Sequence, residues 1–243
     1  MQRPARSVWQ GFPDVVIHAE ELAVKKHAFY AAAKAGDSDS AFALVRATLS
    51  NWALEQIRYL IGHRSPFLAS AHAFERMGVN AIPEALADEL ALHLSLRVDP
   101  SIVQTNIVGH TGASGFVRLA RQALFDGVIK PGAYYFLVDD FIGQGGTLAN
   151  LKGFIESRGG RVIGATVLTG RSYSAKLNLS SEQLAALRAK HGHEFEVWWR
   201  DRFGHGFDCL TQSEARYLER SPDAERIRNS LVEIEQAGNR SSA

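Results

Sequence analysis

The segment from Tyr134 to Thr147, YYFLVDDFIGQGGT, constrains the fold more than any other part of the chain. It begins with five apolar or aromatic residues and no polar alternation, which is typical of a strand covered on both faces in a parallel sheet. Asp139 and Asp140 follow at the predicted carboxyl end of this strand, where open α/β sheets bind their ligands. The segment therefore predicts a buried central strand that leads into a charged ligand site.

A glycine-rich turn follows the two acids and opens a helix. After the turn, LANLKGFIESRGG has apolar residues at 148, 151, 154 and 155, the spacing of a helix packed on one face. Such a turn leaves backbone N–H groups free to bind a phosphate. No lysine follows Gly146, so the pattern is neither a P-loop nor a dinucleotide fingerprint. The predicted phosphate loop consists of Gly143, Gln144, Gly145, Gly146 and Thr147.

Two adjacent acids before a phosphate loop indicate one ligand with vicinal hydroxyls beside a phosphate, as in a ribose 5-phosphate. The alternative is a helix N-terminus whose glycines serve tight packing, with Asp139 and Asp140 as capping residues. Capping needs one acid and not two, so the pattern favours the ligand interpretation.

Composition narrows the class of protein. The 243 residues suit one domain with additions, and a net charge of +1 does not indicate nucleic-acid binding. The single cysteine, Cys209, excludes an internal disulfide and a cysteine-only metal cage, and it favours a reducing compartment. No apolar run reaches membrane-spanning length, and the first residues lack the apolar segment of a signal peptide. We therefore expect a cytoplasmic protein that binds neither nucleic acid nor membrane.

The motif VDDFIGQGGT resembles the phosphoribosyl-pyrophosphate (PRPP) motif of the type I phosphoribosyltransferases. The resemblance is strong over 133–170. Over 66–132 only the order of the elements matches, and at both ends there is no resemblance. It implies that Asp139 and Asp140 hold the ribose 2- and 3-hydroxyls, directly or through water on Mg²⁺, and that the loop holds the 5-phosphate. Mg²⁺, the implied cofactor, would bind mainly to PRPP oxygens, so no residue is assigned as a direct metal ligand. The implied activity is transfer of ribose 5-phosphate to a nitrogenous base with release of pyrophosphate.

With this resemblance the fold class is α/β, a type I phosphoribosyltransferase-like parallel sheet flanked by helices, with helical N- and C-terminal additions. Residues 1–63 would form an arm and helical layer, 64–210 the phosphoribosyltransferase-like core, and 211–243 a C-terminal helical tail. The N-terminal layer could be a hood over the site, a dimer surface or plain packing, and we expect a homodimer.

Periodicity and helix start and stop signals predict the individual elements. Helices are expected over 18–35, 40–62 and 84–94, after an extended arm over 1–17. Strands are expected over 66–73, 99–108, 134–138 and 161–169, with a last strand within 194–210.

The resemblance also implies residues near the pyrophosphate. Gly78 and Asn80 would lie in the pyrophosphate loop, although Gly78 could be an ordinary turn glycine. Residues 110–122 would form a closing lid whose Arg118 or Arg121 stabilises the leaving group, and the alternative is a surface helix with solvated arginines. His110 could contact the ligand or simply end a strand.

The acceptor is the least constrained part of the function. The 6-oxopurine enzymes of the family carry an acid at the first loop position, which is Gly143 here, so their substrates are disfavoured. Arg171 leaves the strand 161–169 on the ligand side, and late aromatic residues could recognise a base, although such residues more often belong to the core. A regulatory protein that binds PRPP without turnover, or an assembly partner, is the alternative. The late candidates are Trp198, Trp199, Phe203, Phe207 and Asp208.

Overall fold

A computed structural model describes residues 3–71, 74–75, 78–108 and 114–240 of the chain. The strands are β1 Val16–Ala19, β2 Phe67–Ser70, β3 Phe74–Glu75, β4 Gly78–Val79, β5 Arg97–Val98, β6 Val103–Gln104, β7 Phe125–Asp126, β8 Tyr134–Ile142 and β9 Arg161–Gly170. The helices are α1 Glu21–Lys25, α2 Tyr30–Lys34, α3 Ser38–Thr48, α4 Asn51–Ile61, α5 Ile82–Leu94, α6 Gly115–Ala120, α7 Gly146–Ser157, α8 Ser181–His191, α9 His193–Phe203, α10 Gln212–Arg220 and α11 Ala224–Arg240. Short 3₁₀ turns lie at Ser172–Ser174 and Phe207–Cys209.

Among the described residues, five strands form one parallel sheet in the order β1-β9-β8-β2-β5. The two longest strands, β8 and β9, are adjacent and run in parallel, with Asp139 opposite Val167 and Phe141 opposite Thr169. Helices flank the sheet, which confirms the predicted α/β class with a parallel sheet. Within the described ranges, no helix is long and apolar enough to cross a membrane.

The side chains of β8 alternate between two apolar layers. Tyr135 and Leu137 pack in a cluster with α7, whereas Phe136 and Val138 pack in a second cluster with α3, α4 and α5. Both faces of the strand are therefore covered, which explains why its sequence is continuously apolar.

The N-terminal segment differs from the helix predicted over 18–35. Residues Val16–Ala19 form an edge strand of the sheet, and two short helices follow it. The side-chain hydroxyl of Thr166 donates to the Val16 carbonyl at 2.8 Å, so tertiary pairing outweighs the local helix signal. His18 is buried in this strand, and burial lowers its pKa to about 4. The predicted helix over 40–62 is divided at Leu49 and Ser50, where the Ser50 side chain caps α4.

The arm before this strand lies on the body of the protein. The Trp9 indole donates to the Leu210 carbonyl at 2.9 Å, and Lys152 of α7 donates to the Val8 carbonyl at 3.0 Å. A Cβ atom at Gly153 of α7 would lie 2.1 Å from the Ala5 carbonyl oxygen, so the arm contacts α7 directly.

The strand predicted over 99–108 is wrong in its bounds, because only Val103–Gln104 of this segment is a strand. The sheet strand β5 ends at Val98, and Val103–Gln104 pairs antiparallel with β7 outside the main sheet. Pro100 has no N–H for a ladder, and the Asp99 carboxylate accepts the N–H of Ser101 at 3.0 Å, which turns the chain.

The last strand predicted within 194–210 is also wrong. The segment forms α9 and a 3₁₀ turn. Phe195, Trp199 and Phe203 recur at intervals of four residues, which is helical spacing, and they are buried in a third apolar cluster with Leu218 of α10 and the helix α11. The C-terminal segment contains the helices α10 and α11, in agreement with the helical character predicted there.

Candidate functional site

A cavity of about 790 Å³ lies at the carboxyl ends of β8 and β9. It brings together the acids Asp139 and Asp140, the whole predicted phosphate loop, Asn80, Arg118 and Arg171. Parallel strands present their carboxyl ends at one edge, so residues distant in sequence meet there. In the described part of the chain, the late candidates Trp198, Trp199, Phe203, Phe207 and Asp208 do not line this cavity.

The loop has the geometry of an anion site. Gly145 has φ of +83° and ends the turn, and α7 begins at Gly146. The first N–H groups of a helix have no partner within it, and Gly146, Thr147 and Leu148 at the start of α7 line the cavity. A Cβ atom at Gly145 would lie 2.5 Å from Cδ2 of Leu177, so both the backbone conformation and the space require glycine.

The two acids lie inside β8, which continues two residues beyond them to Ile142. Asp139 is 7% exposed, and its Oδ1 accepts the Asp140 N–H at 2.8 Å. Lys34, the last residue of α2, forms an ion pair with Asp140 at 3.0 Å between Nζ and Oδ2. No local pattern around Lys34 indicates this contact, and sequence reasoning missed it.

The acids differ in their preferred protonation. Burial, and then the charge of Asp140, raise the pKa of Asp139 well above its usual range. Burial alone would raise the pKa of Asp140 too, but the charge and hydrogen bond of Lys34, with hydrogen bonds from Asp139 and Asn80, lower it. Asp140 therefore ionises first as the pH rises, and Asp139 keeps its proton to a higher pH.

We expect opposite stability changes when each acid is replaced by asparagine. The folded pKa of Asp139 lies above its unfolded value of about 4. As the pH rises from the unfolded pKa to the folded pKa, the unfolded chain ionises first, so the folded state loses stability. Asp139→Asn should therefore raise the melting temperature at pH 7 and lose this advantage near pH 4. The folded pKa of Asp140 is lowered, so its contribution is present at pH 7. Asp140→Asn should cost about 1 to 3 kcal/mol there, because the ion pair between Lys34 and Asp140 is lost.

Thermal denaturation of both variants at the two pH values measures these changes. Destabilisation of similar size by both substitutions at pH 7 would contradict the opposite pKa shifts of the two acids.

Arg118 and Arg121 have different positions. Arg118 lines the cavity, with its Nη1 2.3 Å from the position of a Cβ at Gly143. Burial, and then the charge of Arg171, lower the pKa of Arg118. Arg121 follows α6 with an exposed side chain and is not among the described residues that line the cavity.

The structure describes one of the two remaining predicted residues, Gly78. His110, with the first residues of the predicted lid, lies outside the described residues. Gly78 belongs to β4 and pairs with Glu75 in a two-stranded ladder, and Asn80 follows it into the cavity wall.

The N-terminal arm and the start of α10 meet behind the loop in a set of contacts that we call the clasp. It is formed by Arg6, Asn150, Thr211 and Glu214. Arg6 contacts Glu214 through two hydrogen bonds of 2.7 and 2.9 Å and donates to Asn150 of α7 at 2.7 Å. Glu214 accepts the Thr211 N–H at 2.9 Å, and the Thr211 hydroxyl donates to the Gln144 carbonyl of the loop. The sequence T-x-x-E shows the capping box, but nothing in it indicates Arg6.

The residues present offer oxygen ligands for a metal without forming a complete protein cage. Among the described residues, no group of three or more His, Cys, Asp or Glu side chains could hold a metal ion. Asp139 and Asp140 provide carboxylate oxygens, which suit Mg²⁺ when the remaining ligands are water or phosphate oxygens.

Comparisons with known proteins identify two curated relatives. Protein TraN of Escherichia coli is 37% identical over 230 residues, which are 95% of this chain and 51% of that protein. An uncharacterized protein of Haemophilus influenzae is 38% identical over 151 residues, which are 62% of this chain and 34% of that protein. The chain thus matches about half of the first relative's length and a third of the second's. No family model matches.

A solved structure of another protein is similar to part of the chain. The crystal structure of adenine phosphoribosyltransferase from Thermoanaerobacter pseudethanolicus shares 19% identity and a TM-score of 0.33, covering 51% of this chain and 69% of that one. A likeness of this size is no basis for an assignment.

Proposed function

We propose that the chain is a phosphoribosyltransferase with a type I phosphoribosyltransferase-like fold. It would transfer the ribose 5-phosphate of PRPP to a nitrogen nucleophile and release pyrophosphate. One observation carries the proposal. A buried strand leads through Asp139 and Asp140 into a glycine loop that opens α7, and all of these residues line one cavity. The curated relatives are not named for a reaction, so the proposal rests on this site.

The loop and the acids would bind the two ends of ribose 5-phosphate. N–H groups at the start of α7 and the Thr147 hydroxyl would hold the 5-phosphate. The carboxylate of Asp140 and the carboxyl of Asp139 would accept hydrogen bonds from the ribose hydroxyls. Lys34, now paired with Asp140, would move from this carboxylate toward the anionic pyrophosphate as the ligand enters.

In the reaction, the bond from the anomeric carbon to the pyrophosphate oxygen breaks, and its electrons leave with pyrophosphate. The nitrogen nucleophile forms the new bond to that carbon and releases its proton to solvent. The transient positive charge on the sugar is stabilised by the adjacent carboxylate, and the leaving group by nearby cations such as Arg118 and Lys34. Bound Mg²⁺ would neutralise part of the pyrophosphate charge.

Two measurements test this proposal. Calorimetry of PRPP with Mg²⁺ should show binding to the parent and weaker binding to Asp140→Asn, which retains the shape of the side chain. Pyrophosphate release from PRPP with a panel of nitrogenous bases should show turnover with at least one base. A parent protein that binds neither PRPP nor ribose 5-phosphate would overturn the proposal.

A protein that binds PRPP as a signal without turnover is the second candidate. The Lys34–Asp140 ion pair favours it, because in the free protein the ionised acid is already occupied by a cation of the same chain. PRPP binding that displaces Lys34 would then change the position of α2 instead of starting a reaction. Tight PRPP binding without pyrophosphate release from any base would favour this candidate.

Turnover should depend on Arg118 and not on Arg121. Arg118→Ala should reduce the rate by roughly 10² or more, the effect of removing one charge-stabilising donor. Arg121→Ala is the matched control, because its side chain is exposed and lies outside the described cavity wall. Steady-state pyrophosphate release measures both rates. Equal rates in the two variants would exclude Arg118 from the reaction.

A further inference from the structure

One end of the cavity is strongly basic. We call this the arginine cluster, and it consists of Arg171 after β9, and Arg216 and Arg220 on α10, with Arg118 of α6 beside it. All four line the cavity that the phosphate loop also lines. The arginine cluster adjoins the start of the phosphate loop. Arg118 contacts Gly143, the first loop residue, and the Arg171 N–H donates to the Ile142 carbonyl at 3.3 Å.

Neutral groups hold two of these arginines in place. Arg171 Nη1 donates to the Tyr173 hydroxyl at 2.6 Å. Arg216 Nη2 donates to the Tyr173 carbonyl at 2.7 Å and to the Ser213 hydroxyl at 2.8 Å. The Arg216 guanidinium also lies 5.2 Å from the centre of the Tyr173 ring. These contacts orient the guanidinium groups without neutralising their charge.

Nearby acids are already paired with other cations. Glu21 lines the same cavity but forms an ion pair with Lys25 at 2.5 Å, and Glu214 is paired with Arg6 at 2.7 Å. In the described part of the chain, Arg171, Arg216 and Arg220 form no ion pair with a carboxylate. Like charges gathered in a cleft raise the local potential and attract anions. The charge of Arg171 also contributes to the lowered pKa of Arg118, which indicates that the two guanidinium groups repel each other.

Two tyrosines give this end of the cavity aromatic surface. Tyr173 is exposed beside Arg171 and Arg216. Tyr217 lines the cavity, and its ring centre lies 5.0 Å from that of Phe116 in an edge-on arrangement. Arginine binds carboxylates and phosphates through paired hydrogen bonds, and tyrosine packs on planar rings.

We propose that the arginine cluster binds an oxyanion group, a carboxylate or a phosphate, on a ring-bearing acceptor. This inference rests on the proposed function and specifies its acceptor as acidic. The 5-phosphate would occupy the loop at the start of α7, and the acidic group of the acceptor would occupy the cluster. The cavity would thus hold two anionic groups on either side of the bond that is formed.

Matched pairs of compounds test the inference. Orotate and uracil differ by one carboxylate, as do their ribosyl 5-phosphates, orotidine and uridine 5′-monophosphate. AMP and adenylosuccinate form a purine pair in which one member carries two carboxylates. In at least one pair, calorimetry should show the member with the added carboxylate bound about tenfold more tightly than the member without it, the effect of a hydrogen bond to a charged group.

The charge preference should depend on the cluster. Arg171→Gln combined with Arg216→Gln should remove this preference. The affinities for the two members of a pair, with and without the added carboxylate, should then have a ratio of about one. Arg226→Gln is the control, because Arg226 is exposed on α11 and does not line the described cavity. Binding of uridine 5′-monophosphate by each variant reports whether the phosphate loop is intact.

The possible results are distinct. If in every pair the member with the added carboxylate binds no more tightly than the member without it, the acidic acceptor is wrong. This holds even if uridine 5′-monophosphate and PRPP bind. If the double variant weakens PRPP as much as it weakens the charged compounds, the cluster serves pyrophosphate, and the inference is also overturned. If ribose 5-phosphate fails to bind but orotate binds more tightly than uracil through the cluster, the anion site stands and the transferase proposal fails.

Discussion

Replacement of Gly145 by valine should abolish binding of ribose 5-phosphate. Gly145 has φ of +83° and ψ of +4°, a conformation that β-branched residues strongly disfavour. Any Cβ there would lie 2.5 Å from Leu177 Cδ2 and 3.3 Å from Thr211 Cγ2, so the turn must shift away from the clasp. The N–H groups at the start of α7 would then no longer converge on one phosphate. Calorimetry with ribose 5-phosphate measures the loss.

Gly204→Val provides a matched control for this substitution. Gly204 has nearly the same backbone conformation, φ of +80° and ψ of +6°, but a Cβ there would meet only Arg3 side-chain atoms at 3.7 Å or more. Both variants should lose about 1 to 2 kcal/mol of stability from the left-handed backbone. Only Gly145→Val should lose phosphate binding. Normal ribose 5-phosphate binding by that variant would mean that the loop glycines serve packing alone.

Replacement of Glu214 by alanine should destabilise the protein by about 3 to 5 kcal/mol, because it leaves a buried guanidinium without its partner. The side chains of Arg6 and Glu214 are each 2% exposed, so the ion pair is shielded from bulk water. The same change removes the acceptor for the Thr211 N–H and so loosens the hydroxyl that holds the Gln144 carbonyl. We therefore expect weaker ribose 5-phosphate binding as well as a lower free energy of unfolding in urea.

Two further variants separate charge from packing at the clasp. Arg6→Met combined with Glu214→Leu removes both charges and should recover most of the stability, since buried ion pairs are often replaceable by apolar residues. Glu55→Ala removes a surface ion pair with Arg58 and should cost at most about 1 kcal/mol. A Glu214→Ala protein as stable as Glu55→Ala would show that the clasp does not stabilise the packing of the N-terminal arm against α10.

The centre of the fold and of the site could be predicted because their signals are local. The apolar run of β8, the two acids and the glycine turn are consecutive, so one short segment determines strand, charge and loop together. Where the local signal was ambiguous, the prediction was wrong. Trp199 and its neighbours have strand propensity, but their four-residue spacing packs them into the C-terminal helical cluster away from the cavity.

The edge strand shows a second limit of local patterns. His18 begins a sequence rich in helix formers, yet it lies in β1, because the backbone groups of Val16 to Ala19 pair with β9. Edge pairing depends on a strand that follows about 150 residues later, and no local window contains that information.

The sequence by itself determined the strand that carries Asp139 and Asp140, the loop around Gly145 and the α/β class, because each depends on neighbours in the chain. Only the tertiary structure decided what surrounds them. Lys34 meets Asp140 across 106 residues, and Arg6 meets Glu214 across 208 residues. Such contacts arise when the sheet and the helical layers bring distant segments together, and each partner alone has the sequence signature of an ordinary surface charge.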